Sequence, residues 1–190
     1  MNNVIIIDDV VDKITQDLIE STVFGKDTQW IFSRTTFYDK HPEVTDQQRK
    51  SLMSFTKPIL DPEKRYRDKN TDLYHSLVPN VKTMLHSRVQ LQLPVITEVD
   101  KVYGVPHVDG YRPFPYQVAV YYVNDSDGDT VLFKQTTQNA SPEDIKNGLL
   151  EIDTTISPKK GRLVIFPGDV YHAVGKPKND IRCIINYNFV

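Results

Sequence analysis

The sequence has a single cysteine, Cys183, so it has no intrachain disulfide, and this scarcity is typical of a protein from a reducing compartment. It also lacks any apolar run near the ~20 residues that a membrane-spanning helix needs. The apolar run at residues 4–7 has no basic flank and is followed by Asp8 and Asp9, which is not typical of a signal peptide. A net charge of −2 and a pI near 6.2 give no general attraction to nucleic acid or anionic membranes. We therefore expect a cytoplasmic protein without membrane contact, and nucleic acid is disfavoured as a partner.

Internal repeats, low-complexity tracts and Gly/Ser-rich linkers are also missing. A length of 190 residues suits one domain that buries most of its apolar surface without disulfides. We predict a single domain over residues 1–190, in which residues 1–87 supply supporting helices, loops and a substrate-covering segment. Residues 88–190, where the pattern changes to short β runs, are predicted to form the core.

Hydrophobic spacing predicts the elements near the N-terminus. Residues 4–7 are typical of a buried strand, and Asp8 or Asp9 is expected to cap a helix over residues 10–22. A second strand is predicted at residues 29–36. The predicted common face of the helix consists of Val10, Val11, Ile14 and Leu18.

Residues 39–70 are polar and contain scattered prolines. We predict a loop there, with a short helix near residues 45–54, that acts as a mobile flap ordering over substrate. The basic run at residues 64–69 is interpreted as a solvated loop. Helical spacing returns, interrupted at Pro79, in the series Leu73, Leu77, Val81 and Leu85.

The second half of the chain is predicted to be β-rich. The predicted strands cover residues 88–97, 102–108, 115–123, 130–134, 149–154, 162–166, 170–174 and 181–189. Helices followed by about eight strands favour a mainly β fold with flanking helices, of the α+β kind. We expect a double-stranded β-helix, jelly-roll or cupin-like, backed by the N-terminal helices.

The last predicted strand alternates in character. One face carries Arg182, Ile184, Asn186 and Asn188. The other face carries Cys183, Ile185, Tyr187 and Phe189. Because successive side chains of a strand point to opposite faces, the apolar face is expected to lie under helices and the polar face to line a pocket.

A candidate metal site consists of His107, Asp109 and His172. On a strand, side chains at i and i+2 share a face, so His107 and Asp109 can grip one ion, and His172 would arrive from a distant strand. Two imidazoles and one carboxylate with open positions are diagnostic of non-haem Fe(II) oxygenases. The other histidines are interpreted as surface or helix-packing residues: His41, His75 and His86.

Arg182 begins the final strand, ten positions after His172. A guanidinium holds a carboxylate through two parallel hydrogen bonds, and a buried arginine is costly unless it is paired. The alternative is an ion pair with an internal Asp or Glu. Lys176 and Lys178 are other candidate anchors, but their turn position predicts solvent exposure.

Tyr121 and Tyr122 are neighbours, so alternation places one hydroxyl inside the barrel, where a buried phenol needs a polar partner. Simple aromatic packing is the alternative for at least one of them.

Together these motifs resemble the 2-oxoglutarate- and Fe(II)-dependent dioxygenases, specifically their prolyl-4-hydroxylase-like branch. The resemblance spans about residues 88–190. It depends on residues 107–109, 121–124, 128–133, 161–167, 172–174, 182 and 186–189. Each motif is weak alone, and jointly they are specific.

The resemblance implies a site. Fe(II) would be held by His107, Asp109 and His172. Arg182 would bind the distal carboxylate of 2-oxoglutarate, Tyr122 corresponds to a tyrosine that hydrogen-bonds the same carboxylate, and Tyr103 would line the cosubstrate pocket. Dioxygen is the second cosubstrate, and ascorbate is an optional reductant.

The implied activity is hydroxylation of a C–H bond on a peptidyl or free amino-acid side chain, with proline as one candidate, and release of succinate and CO2. Many prolyl hydroxylases anchor the cosubstrate with lysine where this chain has Arg182. Nucleic-acid-modifying relatives usually carry a second arginine six positions later, and here that residue is Asn188. The alternatives are a nucleic-acid-modifying oxygenase and a non-catalytic jelly roll that binds a metal or carboxylate. The sequence predicts neither the prime substrate nor the oligomeric state.

Overall fold

A computed structural model of the chain describes residues 3–33, 54–63, 65–94 and 103–190. The helices are α1 (Lys13–Val23), α2 (Thr71–His75) and α3 (Pro142–Asn147). The strands are β1 (Ile5–Ile7), β2 (Ile31–Ser33), β3 (Ser54–Asp61), β4 (Tyr66–Arg67), β5 (Met84–Gln92), β6 (Gln117–Tyr122), β7 (Thr130–Thr136), β8 (Ile152–Ile156), β9 (Leu163–Pro167), β10 (Val170–Val174) and β11 (Arg182–Phe189). In these described ranges, no helix is long and apolar enough to cross a membrane.

The strands form two antiparallel sheets that pack face to face. The larger sheet has the order β1-β9-β6-β11-β5-β3-β2, with β4 paired to β3, and the smaller has the order β10-β7-β8. Side chains of both sheets meet in one apolar cluster, which includes Val120 and Ile184 from the larger sheet and Leu132 and Val170 from the smaller. The predicted mainly β architecture is confirmed.

The outer face of the larger sheet packs on helices, as the alternation of the last strand predicts. Cys183, Ile185, Tyr187 and Phe189 form one cluster with residues from the N-terminal half of the chain. From that half, Ile19 and Val23 come from α1 and Tyr74 comes from α2. These helices are short, at 11 and 5 residues.

The prediction of helix and loop support over residues 1–87 was wrong in one respect. The segment also supplies β1 to β4 and the start of β5 to the larger sheet. The buried strand predicted at residues 4–7 is an edge strand, in which Ile5 and Ile6 are about half exposed. An edge strand has a neighbour on one side alone, and so its apolar residues keep solvent contact.

The buried face of the first helix also differs from the prediction. The carboxylate of Asp12, not Asp8 or Asp9, caps α1 by accepting a hydrogen bond from the Thr15 N–H at 2.8 Å. Val10 and Val11 precede the helix and so do not define its buried face, and Ile14 is 83% exposed. The buried residues are Gln16, Ile19 and Val23.

The loop predicted at residues 39–70 is partly a strand. Residues 54–61 form β3, which pairs with β5 inside the larger sheet, so they are not a mobile flap. Pro58 is tolerated there because the register shifts between Pro58 and Leu60, where a proline need not donate to the ladder. The predicted short helix at residues 45–54 lies almost entirely outside the described residues.

Two further predictions need correction. Helical spacing through Leu85 gives way to β5 at Met84, after an α2 that ends at His75. The predicted strand at residues 102–108 is an irregular segment in its described part, with isolated bridges at Tyr103 and His107.

Candidate metal centre

Two isolated bridges attach the segment around His107 to β10. Tyr103 pairs with Gly175 and His107 with His172. The His107 N–H donates to the His172 carbonyl at 2.8 Å, and the His172 N–H donates to the His107 carbonyl at 2.9 Å. This reciprocal pair puts the imidazoles side by side, with ring centroids 4.5 Å apart. Backbone pairing, rather than a continuous strand, therefore brings the histidines together.

Asp109 completes the cluster. Its Oδ1 lies 3.6 Å from His172 Nε2 and 4.0 Å from His107 Nε2. One ligand atom from each residue lies within 4.8 Å of the others. Two metal bonds of ~2.1 Å, the length typical of zinc with nitrogen or oxygen, span up to ~4.2 Å. Both distances to the carboxylate therefore fit one shared ion.

Backbone carbonyls orient both imidazoles. His107 Nδ1 lies 3.0 Å from the Val105 carbonyl oxygen, and His172 Nδ1 lies 3.1 Å from that of Val170. A carbonyl can only accept, so in each ring Nδ1 carries the proton. Nε2 then presents its lone pair to the cluster, as in metal-ligating histidines.

Two asparagines of β11 orient the carboxylate. Asn186 Nδ2 donates to Asp109 Oδ2 at 2.9 Å, and Asn188 Nδ2 donates to the same oxygen at 3.0 Å. Oδ1 remains directed at the histidines. Alternation along the last strand predicts both asparagines on the inner face, but it predicts no contact with the metal site. Such a contact depends on how β11 approaches the loop that carries Asp109, which is a matter of tertiary structure.

The protonation states suit a cation. Burial lowers the pKa of His107 to about 3, with a further contribution from His172, so this imidazole is neutral at pH 7. Burial raises the pKa of Asp109, but the neighbouring His172, Arg88 and His107 together outweigh it, and the pKa lies well below its usual value. A neutral imidazole and an ionised carboxylate are the forms that bind metals.

Arg182 lies in the same interior and is 1% exposed. Its Nε donates to the Gly128 carbonyl at 2.7 Å, its Nη2 to Thr130 Oγ1 at 2.8 Å and its Nη1 to Gln92 Oε1 at 3.3 Å. All three partners are neutral. Arg182 forms no ion pair with any described carboxylate, so the alternative of an ion pair with an internal acid is not supported. A buried cation with neutral partners is suited to binding an anion.

The two tyrosines separate as alternation predicts. Tyr122 lies in the cluster between the sheets, while Tyr121 lies in the cluster under the helices. The Tyr122 hydroxyl donates to Thr130 Oγ1 at 2.6 Å, and its ring centroid lies 5.8 Å from the Arg182 guanidinium carbon. Tyr122, Thr130 and Arg182 thus form one polar group in the interior.

Tyr103 lies elsewhere. Its ring packs edge-on against Phe133 at a centroid distance of 5.5 Å. Phe133 belongs to the cluster on the outer side of the smaller sheet, whereas its neighbour Leu132 faces the interior. This contact does not support a role for Tyr103 in the cosubstrate pocket.

The histidines and lysines outside the predicted metal site have different outcomes. His75 packs between elements, with its Nε2 2.8 Å from Ser87 Oγ, as predicted. The surface or helix-packing interpretation of His86 was wrong, because His86 pairs with Asn188 on the interior side of β5. Lys176, predicted to be solvated, is buried at 8% exposure. His41 lies outside the described residues.

A polar face on β5 was not predicted from the sequence. It consists of His86, Arg88, Gln90 and Gln92, which pair with Asn188, Asn186, Ile184 and Arg182. Since directly opposed residues of an antiparallel pair point to the same side, this row lines the interior. The signal was present in the sequence, because these polar residues alternate with Ser87, Val89 and Leu91.

Comparisons with known proteins identify relatives of the fold alone. No protein-family model matches the chain, and no curated protein matches it. A prolyl-4-hydroxylase from Pseudomonas putida has a TM-score of 0.60 at 14% identity, over 100% of this chain and 93% of that chain. A prolyl hydroxylase from Trichoplax adhaerens, in complex with a peptide fragment of hypoxia inducible factor, has a TM-score of 0.58 at 14% identity. The match covers 100% of this chain and 84% of that chain. HygX from Streptomyces hygroscopicus, with nickel and 2-oxoglutarate bound, has a TM-score of 0.58 at 12% identity. The match covers 99% of this chain and 82% of that chain. The chain therefore shares the fold of these proteins.

Proposed function

We propose that the protein is a 2-oxoglutarate- and Fe(II)-dependent dioxygenase of the prolyl-4-hydroxylase-like kind. It hydroxylates a C–H bond of a peptidyl or free amino-acid side chain and releases succinate and CO2. The observation that carries the proposal is the combination, in one interior, of a two-histidine, one-carboxylate cluster with a buried guanidinium whose partners among the described residues are all neutral. Either feature alone is compatible with a purely structural role, and together they match a metal-bound dicarboxylic cosubstrate.

In this proposal His107, Asp109 and His172 hold the iron. Iron and 2-oxoglutarate, when bound, would activate dioxygen, which is the oxidant: 2-oxoglutarate would give up two electrons as it loses CO2, and the second oxygen atom would enter an unactivated C–H bond. Three protein ligands on one side leave positions for the cosubstrate and dioxygen. The chain contributes geometry, because backbone carbonyls fix the imidazoles, and Asn186 and Asn188 fix the carboxylate.

Arg182 would anchor the distal carboxylate of 2-oxoglutarate. Its neutral partners hold the guanidinium in place without neutralising it, so a carboxylate gains a charge-assisted pair. A Cβ at Gly128 would lie 2.9 Å from Arg182 Cδ, so glycine leaves room for the side chain. The Tyr122 hydroxyl donates its one proton to Thr130 in the structure, and it would redirect that proton to the same carboxylate when 2-oxoglutarate binds.

The substrate class is the finer part of the proposal. The Trichoplax neighbour is in complex with a peptide, and HygX is also known with hygromycin B bound, so the shared fold accepts both peptides and small molecules. Proline, in a peptide or as the free amino acid, is one candidate. The nucleic-acid alternative is weakened by Asn188, which stands where those enzymes usually have an arginine and donates to Asp109.

Succinate formation tests the proposal. Protein reconstituted with Fe(II) and 2-oxoglutarate in air should release succinate slowly without prime substrate and faster with a proline-containing peptide or a free amino acid. Asp109→Ala should abolish this release. A protein that binds the metal and 2-oxoglutarate but forms no succinate would instead be the non-catalytic binding module.

A further inference from the structure

Two further arginines, Arg88 and Arg112, lie near the metal cluster. Arg88 pairs directly with Asn186, whose amide contacts Asp109, so the Arg88 side chain points into the same interior. The charge of Arg88 contributes to lowering the pKa values of Asp109 and His107. The second member, Arg112, follows Asp109 by three positions and stacks on the Tyr116 ring at 5.5 Å.

Both guanidinium groups contain a buried nitrogen without a partner. The Nε atoms of Arg88 and Arg112 are shielded from solvent and form no hydrogen bond with any residue that the structure describes. Neither residue forms an ion pair with a described carboxylate. A buried polar group without a partner costs roughly 1–3 kcal/mol, and more for a charged group, so two such groups near Asp109 indicate a site that an anion would stabilise.

The charges of both arginines act on His86. Burial and the positive charges of Arg88 and Arg112 lower its pKa to about 4, while Asp61 and Asp109 act in the opposite direction. At pH 7 His86 is therefore neutral, and it can donate or accept a hydrogen bond without neutralising either arginine.

This pair is separate from Arg182. Arg182 pairs with Gln92, whereas Arg88 pairs with Asn186, four strand positions farther along β11. At ~3.3 Å per residue the two rows are ~13 Å apart. One anion bound by Arg182 therefore leaves Arg88 and Arg112 without a partner.

A cavity of about 330 Å³ lies beside Arg112. Its lining includes Gly110, Arg112, Phe114 and Tyr116, and Gly110 is the residue that follows Asp109 in the sequence. Asp169 also lines it and forms no ion pair with Arg112 among the described residues. Arg112 thus lines the cavity while its Nε is buried.

We propose that Arg88 and Arg112 form a binding site for a carboxylate of the prime substrate, so that the preferred substrate is an acid rather than a neutral internal residue of a peptide. The inference deepens the proposed function and rests on it, because only an enzyme has a prime substrate. A free amino acid and an acidic side chain of a peptide both offer this carboxylate. In either case the cavity admits the substrate and the two arginines hold its anionic end beside the metal cluster.

The first test uses sulfate as an oxyanion probe. Protein holding Fe(II) and saturating 2-oxoglutarate under anaerobic conditions is melted at increasing sulfate concentration, so that Arg182 is already occupied. At about tenfold above its Kd, sulfate should raise the melting temperature by roughly 3–6 °C with saturation. Arg88→Gln and Arg112→Gln should each lose the saturating rise.

Arg67→Gln is the matched control, since Arg67 lies on β4 with an exposed side chain paired to Asp72. It should keep the saturating rise. The non-saturating rise common to all four proteins reports sulfate exclusion from protein surfaces. No saturating rise in the wild type, or an equal one in Arg88→Gln, would overturn the inference.

The second test identifies the source of the carboxylate. Succinate release is compared for free amino acids, for their primary amides, and for blocked peptides with internal Asp or Glu. Stimulation by acids but not by amides, lost in Arg88→Gln, supports the site, and the responding acid identifies the source. Amides that stimulate as well as acids would contradict it.

The two proposals fail in distinguishable ways. Loss of 2-oxoglutarate binding in Arg88→Gln, as strong as in Arg182→Gln, would mean that Arg88 serves the cosubstrate, and the inference alone would fail. Sulfate binding at Arg88 in a protein that forms no succinate would remove the proposed function and leave the anion site.

Discussion

Replacing Arg182 with glutamine should weaken 2-oxoglutarate binding far more than iron binding. The guanidinium is 1% exposed, and its hydrogen bonds go to Gly128, Thr130 and Gln92, none of which carries charge. Truncating one member of a buried, hydrogen-bonded charge pair costs about 2–5 kcal/mol. A loss of about 3 kcal/mol corresponds to a roughly 150-fold higher Kd for 2-oxoglutarate.

Iron binding should change little in the same variant. Arg182 lies four strand positions, or ~13 Å, from Asn186, which contacts Asp109. The assay is an anaerobic titration of the visible absorbance of the Fe(II)–2-oxoglutarate chelate, with Fe(II) affinity measured separately. Arg67→Gln, an exposed arginine replacement, should match the wild type in both. Equal losses for metal and cosubstrate, or an unchanged cosubstrate affinity, would refute the anchoring role.

Three further predictions concern individual contacts. Asn186→Leu removes one of two donors to Asp109 Oδ2, so Fe(II) affinity measured by competition with a chelator should fall ~10–100-fold, and an unchanged affinity would exclude an orienting role. Tyr122→Phe removes the donor to Thr130 and should raise the Kd for 2-oxoglutarate by ~5–10-fold, about one hydrogen bond; an unaltered Kd would show that the hydroxyl takes no part. The depressed pKa of His86, about 4 against 6.5 when unfolded, means that the unfolded chain binds more protons, so metal-free protein should lose stability as the pH falls from ~6.5 towards 4. Urea denaturation should show a smaller loss over that window in His86→Gln, and an equal loss would contradict this source.

Alternation along a strand was the most informative part of the sequence. The last strand has one buried face under helices and one polar interior face, so a shift of one residue would reverse every side chain. Tyr121 and Tyr122 separate to opposite clusters for the same reason. The alternation of His86, Arg88, Gln90 and Gln92 carried equal information, but the strand was predicted to begin only at residue 88, whereas β5 begins at Met84.

Local signals failed where tertiary pairing decides the outcome. Pro58 predicts a loop, yet it lies in β3 beside a register shift that removes the need for its N–H. Three acids close together, Asp8, Asp9 and Asp12, are all suitable helix caps, and only the observed hydrogen bond to Thr15 selects Asp12.

The metal cluster illustrates both cases. Its three members follow from residue type and spacing, and the structure brings His107, Asp109 and His172 together. The element that carries His107 and Asp109 was predicted as a strand and is an irregular segment held to β10 by isolated bridges. The hydrogen bonds from Asn186 and Asn188 could not be predicted, because they join residues 77 and 79 positions apart.

Binding of a single divalent ion by these three side chains is the central claim, and a crystal of the protein soaked with Mn(II) tests it most directly. We expect one anomalous peak that lies within bonding distance of His107 Nε2, Asp109 Oδ1 and His172 Nε2, with the two asparagine amides still donating to Asp109 Oδ2. A fully soaked crystal with no peak there, or with a peak that contacts only one of the three, would contradict the account.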